Sequence, residues 1–302
     1  MRVGLAINAA YGDPEVEQVT TSPPAPTGAP TVPALVSARS SRPLGALYAG
    51  NARSVLARGL VSTKSSNALV VVSGFFEPVF YLLSMGIGLG ALVGAVSTST
   101  GQEVSYAAYI APALLAVSAM NGAIYDSTWN VFFKMQYAKL YEGMLATSLG
   151  PLDVALGEIG YALLRGLLYA VGFMAVTQVL GLNLSWTAIL ALPAVVLIAF
   201  GFASLGMAIT SYMKTFQQMD WINFVLMPMF LLSATFFPIT QYPDALQWVI
   251  KALPLWHGVE LVRGLTTGAL APVMLLHVLY YVVMIVVGVV FTTKRLRALF
   301  LD

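Results

Sequence analysis

Apolar residues run along this chain in blocks of about twenty, the length an α-helix needs to cross a bilayer core. Six blocks qualify: Ala68–Val96, Tyr106–Tyr125, Val154–Leu180, Trp186–Tyr212, Trp221–Ile239 and Ala269–Phe291. They predict six membrane-spanning helices, an even number that places both termini on one side. Between the second and third blocks, Asp126–Asp153 keeps Val131, Phe132, Met135, Leu140, Met144 and Leu145 at helical spacing, interleaved with Lys134, Lys139 and Glu142. That pattern predicts a helix outside the bilayer, ended by Gly150-Pro151. Thr240–Gly268 holds two apolar runs, Ala245–Leu253 and Val259–Leu265, too short to span and interrupted by Pro243, Pro254 and Gly258. Broken apolar segments of this kind form re-entrant hairpins or interfacial helices, provided their free backbone groups are covered by protein or face water.

The first 42 residues break the pattern. They carry Asp13, Glu15 and Glu17, then a Pro/Thr/Ser/Ala stretch with six prolines from Pro14 to Pro33. Such a composition buries little apolar surface and predicts a disordered tail. Met1–Ala10 is too short and weakly apolar for the core of a signal peptide. The tail reads as a flexible arm or as an artefact of a wrongly chosen start codon. Residues 43–67 then place Arg53, Arg58 and Lys64 among Leu44, Leu47, Tyr48, Val55 and Leu56. One apolar and one basic face predict an amphipathic helix lying at the membrane surface.

Charge sets the orientation. Arg53, Arg58, Lys64, Lys134, Lys139, Lys214, Lys294, Arg295 and Arg297 fall on one side of the six blocks, and only Lys251 and Arg263 on the other. By the positive-inside rule both termini are cytoplasmic, Asp126–Asp153 is a cytoplasmic segment and Thr240–Gly268 an external one. Charges within the blocks are few, and each costs about 2.5–3.5 kcal/mol at mid-membrane by insertion scales. Glu77 precedes Pro78, which frees a carbonyl upstream and favours a kink. A carboxylate at such a kink is a candidate for a polar substrate path. Asp126 and Asp220 read as border residues. Glu158 and Arg165 share a face but lie about 10.5 Å apart along the axis, too far for a simple pair. Arg165 is expected to snorkel to the border. In the external segment, Glu260 and Arg263 can pair at i,i+3. His257 reads as a hairpin-locking hydrogen bond, with His277 too remote in sequence to be assumed beside it.

Composition excludes the remaining classes. With 58% hydrophobic and 9% charged residues, a water-exposed surface cannot be covered. The absence of cysteine removes disulfides, thiolate metal sites and thiol nucleophiles. A net charge of +2 gives no case for nucleic acid. The sequence carries no nucleotide-binding P-loop, no H-E-x-x-H and no G-x-S-x-G, so no catalytic residue, cofactor or metal site is assigned to this chain. Gly86, Gly88 and Gly90 lie inside an apolar block and read as close helix packing.

Several segments now become recognisable. Phe75-Phe76-Glu77-Pro78-Val79-Phe80-Tyr81, Tyr109-Ile110-Ala111-Pro112, Tyr141-Glu142-Gly143-Met144, Ser233-Ala234-Thr235-Phe236-Phe237-Pro238 and Leu253-Pro254-Leu255-Trp256-His257 appear in order. Together they resemble ABC-2 type transporter permeases, in particular the nodulation-type lipo-oligosaccharide exporters and the related daunorubicin-type drug permeases. Ala113 and Ala234 stand where that group often has glycine, and Ser148 where proline is common. The resemblance implies an all-α membrane protein of six transmembrane helices, with an N-terminal interfacial helix, a cytoplasmic coupling helix and an external re-entrant hairpin, its transmembrane domain spanning 68–302. It implies a bacterial plasma-membrane location, a second permease subunit, identical or paired, and two cytoplasmic ABC ATPase subunits that bind ATP and Mg. Phe132, Phe133, Lys134, Tyr137, Lys139, Glu142, Arg53 and Arg58 would then meet the ATPase. Glu77, Phe76, Phe236, Phe237, His257, Glu260 and Arg263 would form the substrate pathway or gate. The expected activity is export of an amphipathic glycolipid. A hydrophobic-drug efflux permease, an ion-coupled carrier and a membrane-embedded transferase are the alternatives.

Overall fold

The computed structural model describes residues 47–64, 68–98 and 101–301. The tail 1–42 and the first residues of the expected surface helix lie outside that range. Five helices are long and apolar enough to cross a membrane, by length and composition: Phe76–Val93, Tyr106–Tyr137, Pro151–Val179, Trp186–Thr210 and Met274–Phe300. In chain order, the described helices are α1 (Ala52–Lys64), α2 (Ala68–Leu83), α3 (Tyr106–Tyr125), α4 (Leu140–Leu145), α5 (Pro151–Val179), α6 (Ala191–Thr210), α7 (Asp220–Leu232), α8 (Asp244–Ala252), α9 (Pro254–Thr267) and α10 (Met274–Phe300).

Small residues put α3 at the centre. Its sequence is alanine-rich and apolar on every face, and nearly every side chain is buried. Ser105 starts the helix, its hydroxyl accepting from the Ala108 amide at 3.3 Å. The helix packs against α2, α5, α6 and α9. At the α3–α5 crossing, a Cβ added to Gly122 would lie 2.8 Å from the Gly166 Cα, so the two backbones meet with no side chain between them. Of the three glycines in the first block, Gly86 is tight against Ala107, while Gly88 faces open space.

The second apolar block does not end at Asp126. The helix continues through π-helical turns at Asp126–Asn130 and Phe133–Tyr137. The Ser127 and Thr128 hydroxyls both donate back to the Ile124 carbonyl, at 3.4 and 2.7 Å. Such side-chain bonds compete with the regular ladder and accompany its local widening. The chain breaks only at Lys139, with φ of 47°, before the short α4. Two further differences follow from punctuation. Residues between the first two blocks, expected as loop, pair as a hairpin of β1 (Ala95–Ser97) and β2 (Glu103–Ser105), Val96 opposite Val104. The last helix starts at Met274 rather than Ala269, because Gly268 ends α9 at φ 78° and Pro272 lies in the turn that follows.

The expected fifth span, Trp221–Ile239, is also shorter. α7 covers 13 residues and is preceded by a 3₁₀ turn at Phe216–Met219. After Leu232 the backbone leaves helical geometry, with Ala234 left-handed at φ 54°. That is the strained region where glycine is preferred. The freed Ala234 carbonyl accepts from Arg263 Nη2 at 2.9 Å and from the Tyr109 hydroxyl at 3.3 Å, so protein replaces the missing helical partner. α8 and α9 are two short helices in the segment between the fifth and last apolar blocks, meeting at Leu253-Pro254.

The segment leading into α1 is held by a buried carboxylate. Gly150 and Pro151 open α5. Asp153, fully buried, accepts from the amides of Gly150 at 2.9 Å, Ala49 at 2.7 Å and Asn51 at 2.8 Å. Gly157 lets α1 close in, since a Cβ there would meet the Val55 Cβ at 2.4 Å. Asp153→Ala strands three amides and is expected to cost at least about 3 kcal/mol. Thermal unfolding in detergent should show a lowered midpoint, with protease cutting near residues 47–51 before the rest of the chain.

Candidate functional site

A cleft of about 550 Å³ opens between α2, α3, α5 and α7. Its polar groups are Glu77, Asn121, Arg165 and Asn223, and its aromatic walls include Tyr81, Tyr125, Trp129 and Tyr169. Glu77 comes from the turn of α2 that contains Pro78. It makes no ion pair among the described residues. Arg165 has its partner within the protein. Its Nε lies 2.8 Å from Asp126 Oδ2, with both side chains buried, and its guanidinium sits 5.0 Å from the Tyr125 ring centre. The extended α3 carries Asp126 to it. The cleft therefore holds one neutralised pair and one uncompensated carboxylate.

The opposite face of α7 is apolar. Residues at 223, 226, 227 and 230 face the polar cleft, and residues at 221, 224, 225 and 228 face a groove of about 580 Å³. That groove is lined also by Phe202, Ile209 and Val249. α7 thus separates the two spaces, sharing Leu226 between them and offering one amide, Asn223, to the cleft, whose other polar groups come from α2, α3 and α5.

The other pathway residues fall into two groups. Tyr81 carries the cleft wall outward, 5.5 Å from Phe230 and 6.3 Å from Phe236, ring centre to ring centre. Phe76 stacks on Phe80, and Phe237 is half-exposed. His257, Glu260 and Arg263 belong instead to the α9 seat. Arg263 pairs with Glu260 and lies 4.1 Å from the Tyr109 ring centre. Sequence distance had separated His257 from His277, yet their Nδ1 atoms are 2.7 Å apart. Burial, and then His277 beside it, hold His257 down at about 4, so this imidazole stays neutral. This histidine bond ties α9 to α10.

The expected ATPase-facing residues also divide. Lys134 Nζ lies 2.5 Å from Glu158 Oε2, and Arg58 Nη2 lies 3.4 Å from Oε1 of the same carboxylate. Phe132 is buried in contact with Met213 and Met219. Lys134 and Phe132 are therefore part of the internal packing. Phe133 and Tyr137 are 48% and 64% exposed, with ring centres 5.3 Å apart, and Lys139, Glu142 and Arg53 are exposed. Phe216, unassigned from sequence, packs beside Phe133 at 6.3 Å and Trp129 at 5.4 Å.

Comparison with known proteins decides the family. Residues 51–267 match the family model described as ABC-2 type transporter. The chain belongs to the ABC-2 type transporter family. It is 33% identical over 242 residues to nodulation protein J of Rhizobium leguminosarum bv. viciae, covering 80% of this chain and 91% of that protein. Nodulation protein J of Sinorhizobium fredii is 34% identical over 208 residues, covering 68% and 77%. That of Rhizobium meliloti is 30% identical over 214 residues, covering 70% and 79%. The chain is thus a membrane transport subunit, and the cleft lies within the matched region.

Asn121 and Asn223 were not singled out from sequence. The signal was present, since an amide inside an apolar block must find a partner or a cavity. The Asp126–Arg165 pair is open to test. Arg165→Leu leaves Asp126 buried without its cation, with Asn130 still donating to it, and is expected to cost about 3–5 kcal/mol. Adding Asp126→Asn should restore much of the loss in detergent melting curves. A double variant no more stable than Arg165→Leu would mean the two groups are not coupled.

Proposed function

We propose that this chain is the permease subunit of an ATP-driven exporter that moves an amphipathic glycolipid of the lipo-oligosaccharide kind out of the cytoplasm or inner leaflet. The two-faced α7 carries this reading. Amides, a carboxylate and aromatic rings on one side suit a sugar headgroup, and the wholly apolar groove on the other suits an acyl chain. Kinship with three nodulation proteins supports it. A hydrophobic drug would use the groove but leave Glu77 and both asparagines without partners, which disfavours the efflux alternative.

In this reading α7, with its 3₁₀ start and broken end, completes six spans, and α8–α9 form a re-entrant external hairpin. Both termini are cytoplasmic in a bacterial plasma membrane. A second permease subunit faces the cleft, and two ABC ATPases bind ATP and Mg below it. Phe133 and Tyr137 anchor the ATPase, with Lys139, Glu142 and Arg53 at the rim. Lys134 and Arg58 act behind them by fixing Glu158. Closure of the ATPases then moves α3 and α5 as one body, through the Lys134–Glu158 pair.

The purified chain is expected to hydrolyse no ATP and to copurify with a separate P-loop protein. Phe133→Ala with Tyr137→Ala should weaken that association about tenfold or more, without lowering the chain's melting point. Lys134→Glu should instead lower the melting point. ATP hydrolysis by the chain alone would overturn the proposal.

A further inference from the structure

The charge balance of the cleft goes beyond the substrate class, though it rests on the cleft being the lipid headgroup site. Among the described residues, Arg165 is the only cation lining the cleft, and Asp126 pairs with it. Glu77 faces the same space with no ion pair and an exposed side chain. The Glu77 side chain fills no core position, so packing does not require a carboxylate there. Bulk membrane lipids outnumber any exported glycolipid, so a headgroup site must exclude them. Tyrosines, tryptophan and amides accept almost any polar headgroup and cannot do so. A fixed negative charge can, because discrimination often comes from a repulsive element set against the wrong partner.

We propose that Glu77 is the residue that sets headgroup specificity, rejecting anionic phosphate headgroups and admitting uncharged sugar or amine-bearing ones. The carboxylate accepts hydrogen bonds from sugar hydroxyls or an ammonium. A phosphate oxygen offers it no donor and meets its charge directly.

The test uses the full permease–ATPase complex in nanodiscs of zwitterionic lipid. Two fluorescent probes of equal chain length are titrated, a phosphatidylglycerol and an uncharged glycosyl-diacylglycerol, and energy transfer from tryptophan is read. The wild-type complex should bind the glycosyl lipid about tenfold or more tighter. Glu77→Gln should bring the two within about twofold by strengthening phosphatidylglycerol binding. Glu77→Lys should reverse the preference, which a merely structural role would not do, and Glu77→Asp should retain it. A Glu77→Gln complex that keeps the wild-type preference overturns the assignment, as does a wild type that binds both probes equally, and in either case the cleft stands as a lipid site. Binding of neither probe by the wild type overturns the cleft as a headgroup site, and the role of Glu77 with it.

Discussion

No water reaches the hydrocarbon to solvate a charge, so each buried ion of a membrane protein must meet its partner within the protein. In this chain one helix meets nearly the whole requirement. α5 carries Asp153, Glu158 and Arg165, and each fixes a different element. Asp153 gathers the backbone at 49–51, Glu158 holds Arg58 of α1 and Lys134 of the extended α3, and Arg165 holds Asp126. The floor of the cleft is a by-product of the last pair. With Arg165 paired to Asp126, Glu77 is the cleft carboxylate that makes no ion pair among the described residues.

The far end of α7 follows the same constraint with backbone groups. α7 stops at Leu232, and the buried carbonyl of Ala234 beyond it needs a partner from elsewhere in the protein. Arg263 and Tyr109 satisfy it from α9 and α3. This connects the end of the cleft wall to α9, while the His257–His277 bond connects α9 to α10.

Periodicity made the long helices legible, since a run of about twenty apolar residues admits few other structures. The third and fourth spans agree with their expected bounds within a few residues, and Pro254 was a reliable break. What escaped was set by contacts across the fold. Nothing local shows that Asp126 sits inside a helix running to Tyr137, because its partner is 39 positions away at Arg165. His257 and His277 were left apart for the same reason. Lys134 and Phe132 have the spacing of surface residues, and only Glu158 of α5 and the Met213 and Met219 side chains make them internal. Glu77 was legible, as a carboxylate beside proline in an apolar run is conspicuous in any sequence. Its surroundings were not, since Asn121, Arg165 and Asn223 come from three other helices.

The central claim is that the polar cleft, walled by α7, holds the headgroup of an amphipathic lipid. Mass spectrometry of lipids retained by the purified permease–ATPase complex tests it most directly, with wild type compared against Asn121→Trp, which fills the cleft from α3. The wild type is expected to retain a glycolipid that the blocked variant loses, while both keep equal amounts of bulk phospholipid. Equal glycolipid retention by the two complexes would contradict the account.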